Sequence, residues 1–402
     1  MRAVVCGAGI AGLALAQRLD ALGSDVVVLE KAQGPRTQGY MVDFFGPGYD
    51  AAEAMGALPR LRELGYQVEE ASFLDGNGRR RGGVQYTHFA KAVQGRLLSI
   101  MRPDLERALR ESLSNNVVIR FGTSLTHVTD RDDGGVRLTL TDESTLDADL
   151  LVGADGIHST VRSLVFGAER QYLRYLGFHT AAFTFDDPGI HAQVRGRFCL
   201  TDTVGRQMGF YGLRDGRVAV FAVHRTPDPA LPADVRAAVR EEYGSLDWIV
   251  PRALGRCPSS AEVYYDQVAQ ITMPRWSRGR VVLIGDACQA VSLLAGQGAS
   301  LGVAGAYVLA EQLARADCLE NGLTRYERMW RPVVEEKQQV GRKSARWFLP
   351  ESQLQLRARR AVMKLLGLPG GGRYLATTLA GKPTAVVKEL HATRQMPRHI
   401  TR

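Results

Sequence analysis

Several short stretches of this chain place chemically useful residues at telling intervals. Gly7-Ala8-Gly9-Ile10-Ala11-Gly12 follows an apolar run, Ala3 to Cys6, and precedes a helical pattern from Leu13 to Leu22. Glycines so spaced permit a tight turn, close approach of a pyrophosphate to the backbone, and close packing of helix on strand. The helix N-terminus that follows offers free N–H groups and a partial positive charge to an anion. A second apolar run, "DVVVLE", ends on Glu30 and is followed by Lys31. A carboxylate at the usual spacing of about 20 residues accepts hydrogen bonds from a ribose, and no Arg beside it invites a 2′-phosphate. The unit therefore reads as a site for FAD or NAD and not NADP.

Three later stretches extend this reading. Asp149 to Val152 is apolar enough for a strand and runs into Gly153-Ala154-Asp155-Gly156, with Ser159, Val161 and Arg162 opening a helix. Alone it is a strand, a turn and a cap. Arg102 precedes Pro103, a favoured first residue of a helix, and is either a surface charge or a phosphate contact from a helix entry. Val281 to Ile284 stops at Gly285-Asp286, and Gly296-Gln297-Gly298-Ala299 opens an Ala-rich helix. No Ser-His-Asp, Cys-His or paired-carboxylate arrangement suggests hydrolysis.

The elements that must position these residues fill a chain of 402 residues, longer than one core usually serves, so two subdomains are expected. The net charge of +9 suits an anionic ligand, but the basic clusters at Arg79 to Arg81 and Arg357 to Arg360 carry no nucleic-acid motif. No apolar run is long enough for stable membrane insertion. Five cysteines without a Cys-x-x-Cys pair suggest neither disulfides nor a zinc site, and fit a reducing, cytoplasmic setting. The start "MRAVVCGAGIAGLALAQ" has the polarity of a signal peptide, yet its glycine spacing and the strand after it favour the nucleotide-binding reading. Nothing in the sequence specifies an oligomeric state.

Taken in order, GAGIAG (Gly7 to Gly12), DGIHSTVR (Asp155 to Arg162) and GDACQAVSLLAGQG (Gly285 to Gly298) resemble the signatures of the class A, p-hydroxybenzoate hydroxylase-like FAD-dependent monooxygenases. The resemblance covers about residues 1 to 345, in the short form that lacks a thioredoxin-like C-terminal domain. It implies an α/β fold: a Rossmann-like FAD-binding domain over 1–170 and 271–345, with an inserted antiparallel substrate domain over 171–270. Part of the substrate sheet is expected within about 65–100, and a helical segment over 346–402. It also implies roles. Glu30 holds the adenosine ribose, Arg102 lies along the ribityl–pyrophosphate chain, and Asp155 sits near the pyrophosphate with a part in nicotinamide-driven reduction. Asp286 bonds the ribityl hydroxyls, and Gly296 to Ala299 bring backbone N–H groups to the pyrimidine edge. "GYMVDFFGPGYD", Gly39 to Asp50, is expected near the flavin.

The implied activity is an NAD(P)H-driven hydroxylation or epoxidation of a ring-bearing, aromatic or polyketide-like molecule by O2 through a flavin hydroperoxide. NAD(P)H binds only transiently, consistent with the lack of a second nucleotide fingerprint. The chain departs from its relatives at Gln289, Leu293 and Ser300, where His, Pro and Asn are frequent. An oxidase, or a cyclase with FAD mainly as scaffold, is the alternative; an apolar carrier has no need of Glu30 and Asp286. The middle of the chain reads as alternating strands with a hairpin at Arg214-Asp215-Gly216. Phe210, Tyr211, Phe221 and His224, with Gln289 and Leu293, are the candidate substrate-pocket residues. The basic amphipathic "LQLRARRAVMKLLGLP" is expected to pack as a helix on the FAD-binding domain.

Overall fold

A computed structural model describes residues 1–132, 134–292, 296–366 and 382–395. Its first sheet has six strands in the order Ser277–Arg278 (β17), Val281–Leu283 (β18), Leu150–Gly153 (β11), Arg2–Cys6 (β1), Asp25–Glu30 (β2) and Val118–Phe121 (β7). From β18 to β7 the strands run parallel. Ala3, Val4, Val5, Val28, Leu151 and Val282 are buried, as expected of strands covered on both faces. Gly7 ends β1 at a φ of +107°, and a Cβ there would lie 2.4 Å from the Ala154 carbonyl oxygen. A Cβ on Gly12 would lie 1.9 Å from the Gly7 carbonyl oxygen. Only glycine fits either place, and helix Ile10–Asp20 can leave the sheet as tightly as it does.

The second large sheet has seven strands, ordered Tyr264–Ile271 (β16), Leu173–Asp186 (β12), Arg217–Arg225 (β15), Arg206–Gly212 (β14), Arg197–Thr203 (β13), Glu70–Leu74 (β4) and Arg80–Gln85 (β5). All its neighbours are antiparallel except β13 and β4, which are parallel because β4 is contributed from far upstream. The hairpin between β14 and β15 turns at Leu213 to Gly216, where Gly216 takes a φ of +86°. One face of this sheet is covered by helices Pro188–Val194, Val235–Tyr243 and Val250–Gly255. The other meets a two-stranded sheet of Met41–Phe45 (β3) and Leu97–Met101 (β6). A three-stranded sheet of Leu125–Asp130 (β8), Val136–Leu140 (β9) and Thr145–Ala148 (β10) completes the α/β fold.

The C-terminal helices divide between the two halves. Helix Leu319–Phe348 begins in the parallel-sheet core with Leu323, Tyr326 and Trp330, and Ala345 near its end packs on Phe178 and Val223 of the seven-stranded sheet. The basic helix Gln353–Leu366 does not lie on the parallel-sheet half, as its amphipathic pattern suggested. Asp202 at the end of β13 accepts from Arg359 and Arg360, and Arg359 also stacks over Phe73 of β4. The clamp on Asp202 draws the helix to the edge of the seven-stranded sheet. Helix Val386–Gln395 packs instead on the parallel-sheet half, through Val387 and Leu390.

Candidate functional site

At the carboxyl ends of β1, β2 and β11, where ligands of such sheets bind, a solvent-open cleft is lined by Gly7, Gly9, Glu30, Lys31, Arg102 and Asp155, together with Arg36 and Glu106. Glu30 accepts from the Ala8 and Ala32 N–H groups, each at 2.9 Å, which fixes its carboxylate at the rim. Gly9 is the N-cap of Ile10–Asp20 and no side chain caps that helix. A Cβ on Gly9 would meet nothing nearer than Glu106 Oε1, at 3.8 Å. The first N–H groups of this helix, beside the glycine turn, are thus left without a capping side chain. On their side-chain sides Ala11 and Gly12 meet protein: Gly12 packs on Gly7, and the Ala11 methyl on Gly285 and Gly302.

Arg102 opens helix Arg102–Glu111 and pairs with Glu106 at 3.0 Å. Burial raises the Glu106 pKa, and Arg102 works against that rise. Arg102 also lowers the pKa of Asp286, which burial raises overall. Asp286 lies beside the helix Gly298–Arg315, with its Oδ1 3.8 Å from where a Gly298 Cβ would be. Among the described residues that helix has no side-chain cap hydrogen bond either. Gly296 supplies the positive φ (+63°) of the turn before it. Gln297 is buried and its carbonyl accepts from the Leu301 N–H, while Ala299 is half-buried. The Gly39 to Asp50 stretch meets the same helix, since the Ser300 hydroxyl accepts from Gly48 N–H (2.9 Å) and donates to the Phe45 carbonyl.

Asp155 accepts from the Ser159 hydroxyl (2.5 Å) and the Val161 N–H (3.0 Å), so it caps helix Thr160–Val165 while facing the cleft. The fully buried Arg162 donates to the Ala287 carbonyl (2.8 Å) and ties this helix to the Gly285-Asp286 turn. His158 bridges Glu169 (3.1 Å) and Asp266 of β16 (3.2 Å), and these carboxylates raise its pKa to about 9.

The candidate pocket residues separate by strand parity. Tyr211 and Phe221 face the two-stranded sheet; the Tyr211 hydroxyl accepts from Met41 N–H at 2.6 Å, and Phe221 lies 5.3 Å from Tyr40. Phe210 and His224 do not: they point to the opposite face, under the helices, where Phe210 meets Trp248 and His224 shares a hydrogen bond with Tyr243. Gln289 is also turned away, donating to the Tyr326 hydroxyl (2.6 Å) and accepting from Trp330 (3.0 Å) in the core. Leu293 lies outside the described residues. Tyr264 and Glu106 are additions, and Tyr40 stands out within the Gly39 to Asp50 stretch. Glu106 was traceable as the i+4 partner of Arg102; Tyr40 and Tyr264 meet only through the fold, with ring centres 5.7 Å apart.

The FAD binding domain family matches residues 1–339. An uncharacterized protein of Mycobacterium tuberculosis strain H37Rv is 33% identical over 343 residues, covering 83% of this chain and 91% of that protein. A flavin-dependent monooxygenase from an unknown prokaryotic organism is 29% identical over 347 residues, covering 85% and 88%. Among solved structures, tetracycline destructase Tet(51) superposes with a TM-score of 0.79 at 24% identity, covering 95% of this chain and 99% of that one, a likeness of fold. With its glycine turn and Asp-Gly helix on one cleft, and its Gly-Asp turn tied to that helix through Arg162, the chain belongs to the FAD binding domain family and is a class A FAD-dependent monooxygenase.

Proposed function

We propose that FAD lies extended from the Gly7–Gly12 turn to the Gly298 helix, that NAD(P)H reduces it transiently, and that the enzyme transfers one oxygen atom of O2 to a ring-bearing small molecule. One observation carries the reading. Two helix starts without a side-chain cap among the described residues are linked by charged groups: Glu30 and Arg102 line the cleft at Gly9, Asp286 lies beside Gly298, and Arg102 acts electrostatically on Asp286. The residues present fit the cofactor: open backbone N–H groups stand where negative charge would sit, a carboxylate is held at the ribose end, and Arg36 and Arg102 offset Glu106.

The N–H groups after Gly9 bind the pyrophosphate, Glu30 the adenosine ribose and Asp286 the ribityl hydroxyls. Arg102 balances phosphate charge, and Asp155 sets the turn beside it. The dipole of helix Gly298–Arg315 stabilises negative charge at the pyrimidine edge. Bound FAD, once reduced, supplies the activation of O2. Tyr211, Phe221, Tyr40 and Tyr264 give the space between the sheets an aromatic lining that orients a ring and keeps water out. The substrate domain is the seven-stranded sheet, including β4 and β5.

The test is to reconstitute the protein with FAD and follow NAD(P)H oxidation, hydrogen peroxide and oxygen-18 incorporation with a panel of ring compounds under labelled O2. At least one compound is expected to raise NAD(P)H oxidation, lower the peroxide yield below stoichiometry and carry one labelled atom. Stoichiometric peroxide with every compound makes the protein an oxidase. Conversion of a compound without NAD(P)H and without label makes it a cyclase.

A further inference from the structure

Between the two sheets stands a further carboxylate, Asp43. In β3 Met41 packs toward the seven-stranded sheet, Asp43 shares its side by alternation and Phe45 beyond it meets Phe89, while Phe44 packs into the parallel-sheet core. The ground around Asp43 on that face is apolar and aromatic, with Met41, Met101, Phe198, Tyr211 and Phe221. Across the β3–β6 ladder its partner is Ser99, whose hydroxyl donates to Oδ1 at 2.6 Å. From helix Tyr86–Ala92, the Tyr86 hydroxyl donates to Oδ2 at 2.9 Å. Among the described residues Asp43 forms no ion pair, and two neutral hydroxyls hold its side chain.

A carboxylate in such ground without a counter-ion is costly, and an apolar side chain of that size would cost less. Burial raises the Asp43 pKa, against the two hydroxyls that lower it. The residue is half-buried, and each carboxylate oxygen accepts one of these hydroxyls, which leaves it acceptor capacity for a further donor. The position is specific too. Two residues on, the Phe45 carbonyl takes the hydroxyl of Ser300 near the start of helix Gly298–Arg315, and Tyr40 at the other end of the strand touches Phe221 and Tyr264. Asp43 thus stands between the proposed flavin end and the aromatic lining.

We propose that Asp43, oriented by Ser99 and Tyr86, is the polar anchor of the substrate space, and that it selects a ring substrate presenting a hydroxyl donor over one presenting a carboxylate at that point. The inference rests on the proposed function, in which a ring enters between the two sheets. Asp43 accepts the hydrogen bond of the ring hydroxyl; an anionic substituent meets a like charge in a poorly solvated place.

The experiment is calorimetric titration of the oxidised, FAD-loaded protein, without NAD(P)H, using 1,3-dihydroxynaphthalene and 2-naphthoate as probes. FAD content is read from absorbance in every preparation. Wild type is expected to bind the diol more tightly than the naphthoate. Asp43→Asn is expected to weaken the diol by about tenfold or more, the size of a lost hydrogen bond to a charged group, and to strengthen the naphthoate. Three results overturn the proposal: no diol binding by wild type at millimolar concentration, naphthoate bound as tightly as the diol, or equal diol affinity in an Asp43→Asn variant that retains FAD. The wild-type comparison needs no variant and stands even if Asp43→Asn does not fold. Failure of wild type to hold FAD overturns the cofactor assignment alone, and the same titration on the FAD-free protein still reads the selection.

Discussion

His224 shows how far a residue's role depends on its surroundings. It packs under the helical layer with its ring 5.6 Å from His179 and 5.5 Å from Tyr243. Burial, followed by the neighbouring His179 and Arg206, lowers its pKa to about 4. An unfolded histidine takes up a proton near pH 6.5, so this group's contribution is complete above pH 6.5 and is lost as the pH falls toward 4. The full effect is roughly 3 kcal/mol, from a shift between those two values. His224→Gln should therefore lose less stability than wild type when denaturant midpoints are compared at pH 7 and pH 4.5. Equal losses would place the acid sensitivity elsewhere. His224 and Phe210 both lie on the helix-covered face of the seven-stranded sheet, away from the two-stranded sheet.

At the scale of elements, the loop after the Gly285-Asp286 turn is held by side chains as well as by its own backbone. Gln338, on helix Leu319–Phe348, donates to the Ile271 carbonyl (2.8 Å) and the Ala290 carbonyl (3.1 Å). Gln270 of β16 donates to the Val291 and Gln338 carbonyls, both at 2.9 Å, and accepts from Arg342 at 2.8 Å. Both glutamines are buried, so each lost partner leaves a polar group in a dry place. Gln338→Leu should cost about 1–3 kcal/mol by chemical denaturation, the range for a buried group left unpaired. It should also speed FAD release in a dilution assay, since this loop leads toward the Gly296–Gly298 turn. Lost stability with an unchanged release rate would make the network a support of the core alone.

Across the whole molecule, helix Leu319–Phe348 is a strut about 45 Å long, at 1.5 Å per residue. It starts in one hydrophobic core and ends on the other sheet, and the helix after it is clamped by Asp202. That carboxylate is buried, with 5% of its side chain exposed, and it answers two arginines. Asp202→Ala leaves the half-buried Arg359 without its counter-charge, a change of the kind that costs several kcal/mol. The loss should be local. Hydrogen exchange is expected to accelerate over 353–362 while β1 and β2 stay protected. Acceleration throughout the chain would mean that the clamp supports the entire fold.

Much of this protein was legible along the chain. The Gly7–Gly12 turn, the Asp155 turn and cap, the Gly285-Asp286 turn and the Arg214–Gly216 hairpin each depend on steric demands within a few residues, and those demands show in residue type. Facing direction was not legible in β15, because Val218, Val220 and Ala222 are as apolar as Ala219, Phe221 and Val223 on the other side. Alternation says that a strand has two faces and leaves open which neighbour each will meet. Gln289 could not be assigned either, since its partners Tyr326 and Trp330 come from a helix formed by a later stretch of chain. Asp43 looked like one more residue of a glycine-rich strand until Ser99 and Tyr86 were folded against it. Local sterics and period wrote the cofactor cradle into the sequence; tertiary packing, which joins segments far apart in the chain, decided which side chains face the space beside it.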